Sequence, residues 1–129
     1  MRGSGKFYEE LGERLCEAVA VVARYDCVRD KDGETRRERN DAFEVESPEP
    51  DIPDEGAMLW EWFWDIRAGQ ASGFNGANPA SSSEILAWLQ LTGNVLRRED
   101  VAILRSMDSR YVSEIDREAE AIRERETEK

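Results

Sequence analysis

Three tryptophans and a phenylalanine stand within five consecutive positions, Trp60-Glu61-Trp62-Phe63-Trp64, and this cluster constrains the fold more than any other feature of the chain. Burying one large apolar side chain is worth roughly 1.5–3 kcal/mol, so the cluster belongs in or beside the core. Leu59 and Ile66 extend the apolar set across a helix expected from about Gly56 to Ala68. That distribution is too broad for a surface helix with one narrow stripe. Either the helix is buried on most sides or Trp62 lies on a second face. Core packing is the plain reading; an exposed aromatic docking patch is the sharper one.

The rest of the chain has less to bury, because charged residues make up 36% of its 129 positions. One small domain with tails is the expectation at this length. After the aromatic helix, Gly69, Gly73 and Gly76 punctuate a polar loop ending at Pro79, with Phe74 placed to tuck back onto the helices. Ser81 and Glu84 have capping-box spacing, Ile85, Trp88 and Leu89 share one face, and Thr92-Gly93 stops that helix. A last helix starts near Arg98-Glu99-Asp100, its acids at the positive end of the helix dipole, and carries Val101, Leu104, Met107, Tyr111, Ile115 and Ile122 at three-or-four spacing, thinning after Ile115.

Upstream, Leu11, Leu15, Ala18, Val22 and Tyr25 form the stripe of an amphipathic helix over residues 1–25. Residues 26–56 read as an extended acidic linker, with three prolines and seven acids but no base between Asp41 and Glu55. The stripe of the first helix reads as a packing face; because the linker sets that helix apart, docking on a partner or a second copy is the alternative. The fold class expected is therefore all-α. A module of about three helices over 57–115 follows the N-terminal helix and the linker, and a charged helical tail occupies 116–129. That tail reads as a solvated extension, with self-association through it as the alternative.

Several chemistries are excluded by what the residues lack. The chain has no histidine, and Cys16 and Cys27 are not spaced as a metal or redox pair. Asp30, Asp32 and Gly33 match three positions of a calcium loop, but Val28 and Arg39 would fill its first and twelfth positions, where acids are required. The Gly-rich loop lacks the Gly-Lys-Ser/Thr of a phosphate cradle. No cofactor and no metal is expected, and the carboxylate pairs Glu61 with Asp65 and Asp100 with Asp108 are what so acidic a chain produces by chance. A net charge of −11 opposes binding to nucleic acid and to anionic membranes. No window approaches the roughly 18 apolar residues of a membrane span, so a reducing cytoplasm is the default setting. A DNA-mimicking inhibitor is the remaining acidic reading, weakened because the densest acid run is broken by prolines.

The order of aromatic helix, Gly73-Phe74 and Gly76, Ser83-Glu84-Ile85 to Trp88, Leu91-Thr92-Gly93, then Glu99, Leu104, Met107-Asp108 and Tyr111 resembles small tail assembly chaperones of long-tailed bacteriophages. The resemblance covers roughly 55 of the 129 residues. The family's loop tends to read Gly-Pro-x-Pro where this chain has Gly76-Ala77-Asn78-Pro79, and its Pro-Trp before the glutamate is replaced by Arg97-Arg98. The resemblance implies a non-catalytic protein of the bacterial host cytoplasm that coats the tape-measure protein and recruits tail-tube subunits. A structural tail or connector subunit would use the same surfaces permanently. On this reading Trp60, Trp62, Phe63, Trp64, Phe74 and Tyr111 make the partner contacts, while Trp88 and Leu104 belong to the core.

Overall fold

A computed structural model describes residues 2–69 and 77–128 of the chain. Among these residues there are five α-helices and one 3-10 turn: α1 (Arg2–Asp26), α2 (Arg36–Ala42), the turn Asp54–Gly56, α3 (Ala57–Ala68), α4 (Ser82–Thr92) and α5 (Arg98–Thr127). The all-α class holds, with α2 as a helix the sequence reading did not include.

The stripe on α1 is not left for a partner. Leu11, Leu15 and Val19 are buried in one cluster with Leu59, Phe63 and Ile66 of α3 and Ile103, Leu104 and Met107 of α5. Tyr8 meets Arg97 at 3.3 Å, Gly12 lies where an added Cβ would be 3.4 Å from Ile103, and Asp30, just past α1, meets Arg125 at 3.5 Å. The two long helices therefore run parallel along most of their length. Periodicity identified the apolar face of α1 at Leu11, Leu15 and Ala18, but beyond them Val19 and Ala23 are buried while the expected Val22 and Tyr25 are half-buried; the covering surface is supplied far downstream and leaves no local trace.

Gly56 seats the start of α3 against this pair. A Cβ there would stand 2.9 Å from Leu15 Cδ2 and 3.1 Å from Leu11 Cδ1, so only a glycine backbone comes this close to α1. Downstream, the Ser81 hydroxyl accepts from the Glu84 N–H and the Glu84 carboxylate from the Ser81 N–H, which fixes the start of α4. Gly93 ends α4 in the left-handed region at φ 72°. Asp100 accepts from the Arg97 N–H and opens α5.

The segment read as a linker is partly strapped down. Thr35 and Glu38 form a second capping box, hydroxyl to N–H at 3.2 Å and N–H to carboxylate at 3.1 Å. A seven-residue helix with no buried residue is too short to persist alone. It is held through arginines: Arg36 Nε and Nη2 both donate to Glu118, and Arg39 donates to Glu118 and to Asp30. Glu118 is 2% exposed and Ile122 is also buried, so one side of the C-terminal part of α5 is covered while the rest, Asp116, Arg117, Glu120 and Arg123 among it, is solvated. The acid count that suggested an extended linker missed this because the matching charges lie 82 and 79 positions away. Residues 45–53 carry no helix or strand.

The capping box at α2 gives a pH dependence of definite sign. The Thr35 backbone N–H, then its hydroxyl, hold the Glu38 carboxyl below the ordinary 4.5, with Arg29 adding in the same direction. A folded value below the unfolded one means that this contribution is present above about pH 4.5 and lost as pH falls through the folded value. Amide exchange of residues 36–42 is expected to rise on acidification before the core opens; Glu38→Gln should abolish that pH dependence, and Thr35→Ala, which keeps the backbone N–H but not the hydroxyl, should only weaken it. Exchange that rises only with global unfolding would rule the coupling out.

Candidate partner-binding face

The apolar breadth of α3 is resolved by dividing its side chains among three directions. Leu59, Phe63 and Ile66 point into the core. Trp62, one turn after Met58, leans toward α4, where its ring meets Trp88 edge-on at 5.9 Å and Trp88 Nε1 donates to Asp65 Oδ2 at 2.6 Å. Trp60 and Trp64 occupy the other flank, packed edge-on at 5.6 Å, and Trp64 continues to Tyr111 of α5 at 5.7 Å. Helical geometry places residues four apart side by side, so Trp60 and Trp64 share a flank while Trp62, two positions from each, faces elsewhere.

Phe63 was expected among the partner contacts; it is 2% exposed and sits at the centre of the core. Its ring offers no surface in this fold. Trp60, Trp62, Trp64 and Tyr111 are each half-buried, packed on the core from inside and open on one side. Phe74 lies outside the described residues. Leu104 is buried, and Trp88 is half-buried, bridging α4 to Trp62 and Asp65. The face is widened by residues that the sequence reading did not assign to it. Leu91 is 87% exposed one turn beyond Trp88, Met58 is exposed one turn before Trp62, and Leu86 and Val95 are also exposed. The signal for Leu91 was its three-residue offset from Trp88, whose flank it extends.

A buried ionic junction fixes this face to α5. Arg67 Nη1 donates to Asp108 Oδ1 at 2.9 Å and to the Asn78 carbonyl at 2.8 Å, while Asp108 Oδ2 accepts from the Ala80 N–H at 2.8 Å. One carboxylate thus ties α3, α5 and the approach to α4 together. The Arg67 guanidinium carbon lies 4.6 Å from the centroid of the Tyr111 ring, a cation–π contact. Arg67 Nε is buried without a hydrogen-bond partner among the described residues. Burial is the main cause that raises the Tyr111 phenol above its ordinary value, and Arg67 opposes it. The uncharged phenol is therefore what packs here.

Three of the four carboxylates considered for acid–base work have structural partners: Asp65 on Trp88, Asp100 on the α5 start, Asp108 on Arg67 and Ala80. Among the described residues no cluster of three or more potential ligands could hold a metal, and no helix is long and apolar enough to cross a membrane. The arrangement is one of contact surfaces: amphipathic indoles, exposed aliphatics and a rigid junction beneath them.

Comparison with known proteins adds one match. A family model described as phage tail assembly chaperone matches residues 34–113, which run from the α2 cap through the aromatic face into α5. No curated protein and no solved structure matches the chain.

Proposed function

Because the chain belongs to the phage tail assembly chaperone family, we propose that it binds the tape-measure protein through the α3–α4 aromatic face and helps recruit tail-tube subunits, without catalysis, in the host cytoplasm. The observation that carries this reading is the exposed apolar border, Met58 and Leu91, around the half-buried Trp62–Trp88 pair. Contiguous apolar surface of this kind marks an interaction site. Indoles suit reversible contacts, since each has a large apolar body with a polar N–H that donates to water or to a partner. The net charge of −11 keeps a complex built on such a face in solution.

Co-expression with the tape-measure protein of the same genome tests the proposal. Soluble recovery and co-purification of that partner should depend on the chain and should fall at least about fivefold with Met58→Asp combined with Leu91→Asp. Both residues are exposed, so stability should change by no more than about 0.5 kcal/mol each. Undiminished recovery with the double variant would move the contact elsewhere, and recovery independent of the chain would end the chaperone role for this partner. A transient helper should also be missing from purified particles by mass spectrometry; a fixed copy number there would make it a structural tail subunit instead.

A further inference from the structure

Between α1 and the first half of α5 runs an open groove of about 840 Å³ that shares no residue with the aromatic face. Its lining sets small residues beside Tyr8, Cys16 and the buried Ile103. Gly5 and Gly12 lie seven apart, on one side of α1, and Ala102 and Ser106 lie four apart on α5. Its rim is acidic, with Glu9, Glu13 and Glu17 along α1 and Glu99 on α5, against one base, Arg110. All four glutamates are exposed, and none makes an ion pair among the described residues. By contrast, the buried acids Asp108, Glu114 and Glu118 each have an arginine. The groove therefore holds negative charge that the fold does not use.

We propose that this groove docks an amphipathic helix of a partner protein, with a stripe of small apolar residues on the floor and lysine or arginine side chains flanking it. Two parallel helices supply the walls, and helix packing needs interaxial distances of about 8–10 Å, which the glycines, Ala102 and Ser106 permit. From Gly5 to Glu17 the rim is roughly 18 Å long at the helical rise of 1.5 Å per residue, so three turns of a partner helix would span it. The unpaired glutamates select a basic flank. A second copy of the chain is a poor occupant, because it would bring the same acids and a net charge of −11. Cys16, at the groove wall, reports on the same environment. Burial raises its thiol, Arg110 opposes this, and Glu13 and Glu17 push the same way as burial. Half of the groove comes from α1, outside the residues matched by the family, so the inference does not depend on the function proposed for the aromatic face.

The test uses the full chain and a fluorescent helical peptide of about 18 residues, Ala/Leu on one stripe and Lys on its flanks, with a twin carrying Glu in place of Lys. Binding is read by anisotropy. The Lys peptide should bind, and the twin at least about tenfold more weakly. Glu9→Gln with Glu13→Gln and Glu17→Gln, and separately Ala102→Gln with Ser106→Gln, should each weaken the Lys peptide at least about fivefold. All these positions are exposed, and circular dichroism would verify that the variants fold. Glu44→Gln with Glu46→Gln and Glu49→Gln removes equal charge elsewhere and should change binding less than about twofold. In a Cys27→Ser background the bound peptide should also protect Cys16 from a bulky thiol reagent. Absence of binding overturns the proposal. So does a groove-filling variant that binds like the parent, or a remote variant that weakens binding as much as the rim variant, since either makes the attraction diffuse. A dimer in sedimentation that Ala102→Gln with Ser106→Gln dissolves would instead assign the groove to a second copy.

Discussion

Replacing Asp108 by alanine is expected to lower the free energy of unfolding by about 3–5 kcal/mol, the range for removing one partner of a buried ion pair. The side chains of Arg67 and Asp108 are 8% and 11% exposed, so the guanidinium left behind would remain away from water with its main counter-charge gone. The Ala80 N–H, bonded to the other carboxylate oxygen, would also lose its acceptor. Urea unfolding of the single variant measures the loss. Arg67→Met combined with Asp108→Leu should recover a large part of it, because an apolar replacement for both charges removes the uncompensated one. A double variant no more stable than Asp108→Ala would show that the junction acts through the Asn78 and Ala80 backbone bonds rather than through the charge pair. Because Arg67 also stacks on Tyr111, tryptophan emission from the neighbouring Trp64 should shift in both variants.

The second large effect is expected at Glu118. Glu118→Ala removes a carboxylate that is 2% exposed and answers both Arg36 and Arg39. The cost should fall near the lower end of the same range, about 3 kcal/mol, since the Arg36 side chain is 27% exposed and can turn to water. The more telling readout is local. With no buried residue of its own, α2 is held by this group on one side and by the Arg37–Asp26 pair to α1 on the other, so amide exchange over residues 36–42 should accelerate more than exchange within α3. Glu118→Gln keeps the shape and the acceptor oxygen but not the charge, and should fall between parent and alanine. If α2 stays protected in Glu118→Ala, the capping box, Asp30 and the Arg37–Asp26 pair to α1 hold it without α5.

What could be read in the sequence was local, and what could not was the pairing of distant segments. The starts of α4 and α5 and the stop at Gly93 follow from residues within four positions of one another, and the order of motifs around them was enough to suggest the family that residues 34–113 match. The helix over Ala57–Ala68 announced itself by its aromatic content, yet nothing in Trp60-Glu61-Trp62-Phe63-Trp64 said which ring faces inward. The apolar residues surround the helix, so periodicity gives no preferred side; Phe63 is selected by what α1 and α5 place opposite it. Counting acids suggested a linker where α2 forms, since Arg36 and Arg39 look unmatched until Glu118 is brought beside them. The same holds for Arg67 and Asp108, 41 positions apart. The three-residue offset from Trp88 puts Leu91 on that flank of α4, but that Leu91 and Met58 stay exposed is a statement about what the fold leaves uncovered.

The parallel α1–α5 pair also sets a timetable for synthesis. Tyr8 and Arg97, which meet near one end of that pair, are 89 positions apart, and chains grow at roughly 5–20 residues per second. For on the order of 5–20 s, Leu11, Leu15 and Val19 exist on the ribosome without the helix that shields them. During that interval the growing chain is itself a candidate for the cell's general chaperones, and a message or ribosome that stops before α5 leaves a product whose first helix is permanently uncovered and suited to aggregation or proteolysis. A protein whose family assists the assembly of others thus reaches its own fold only when one of its later segments has been made.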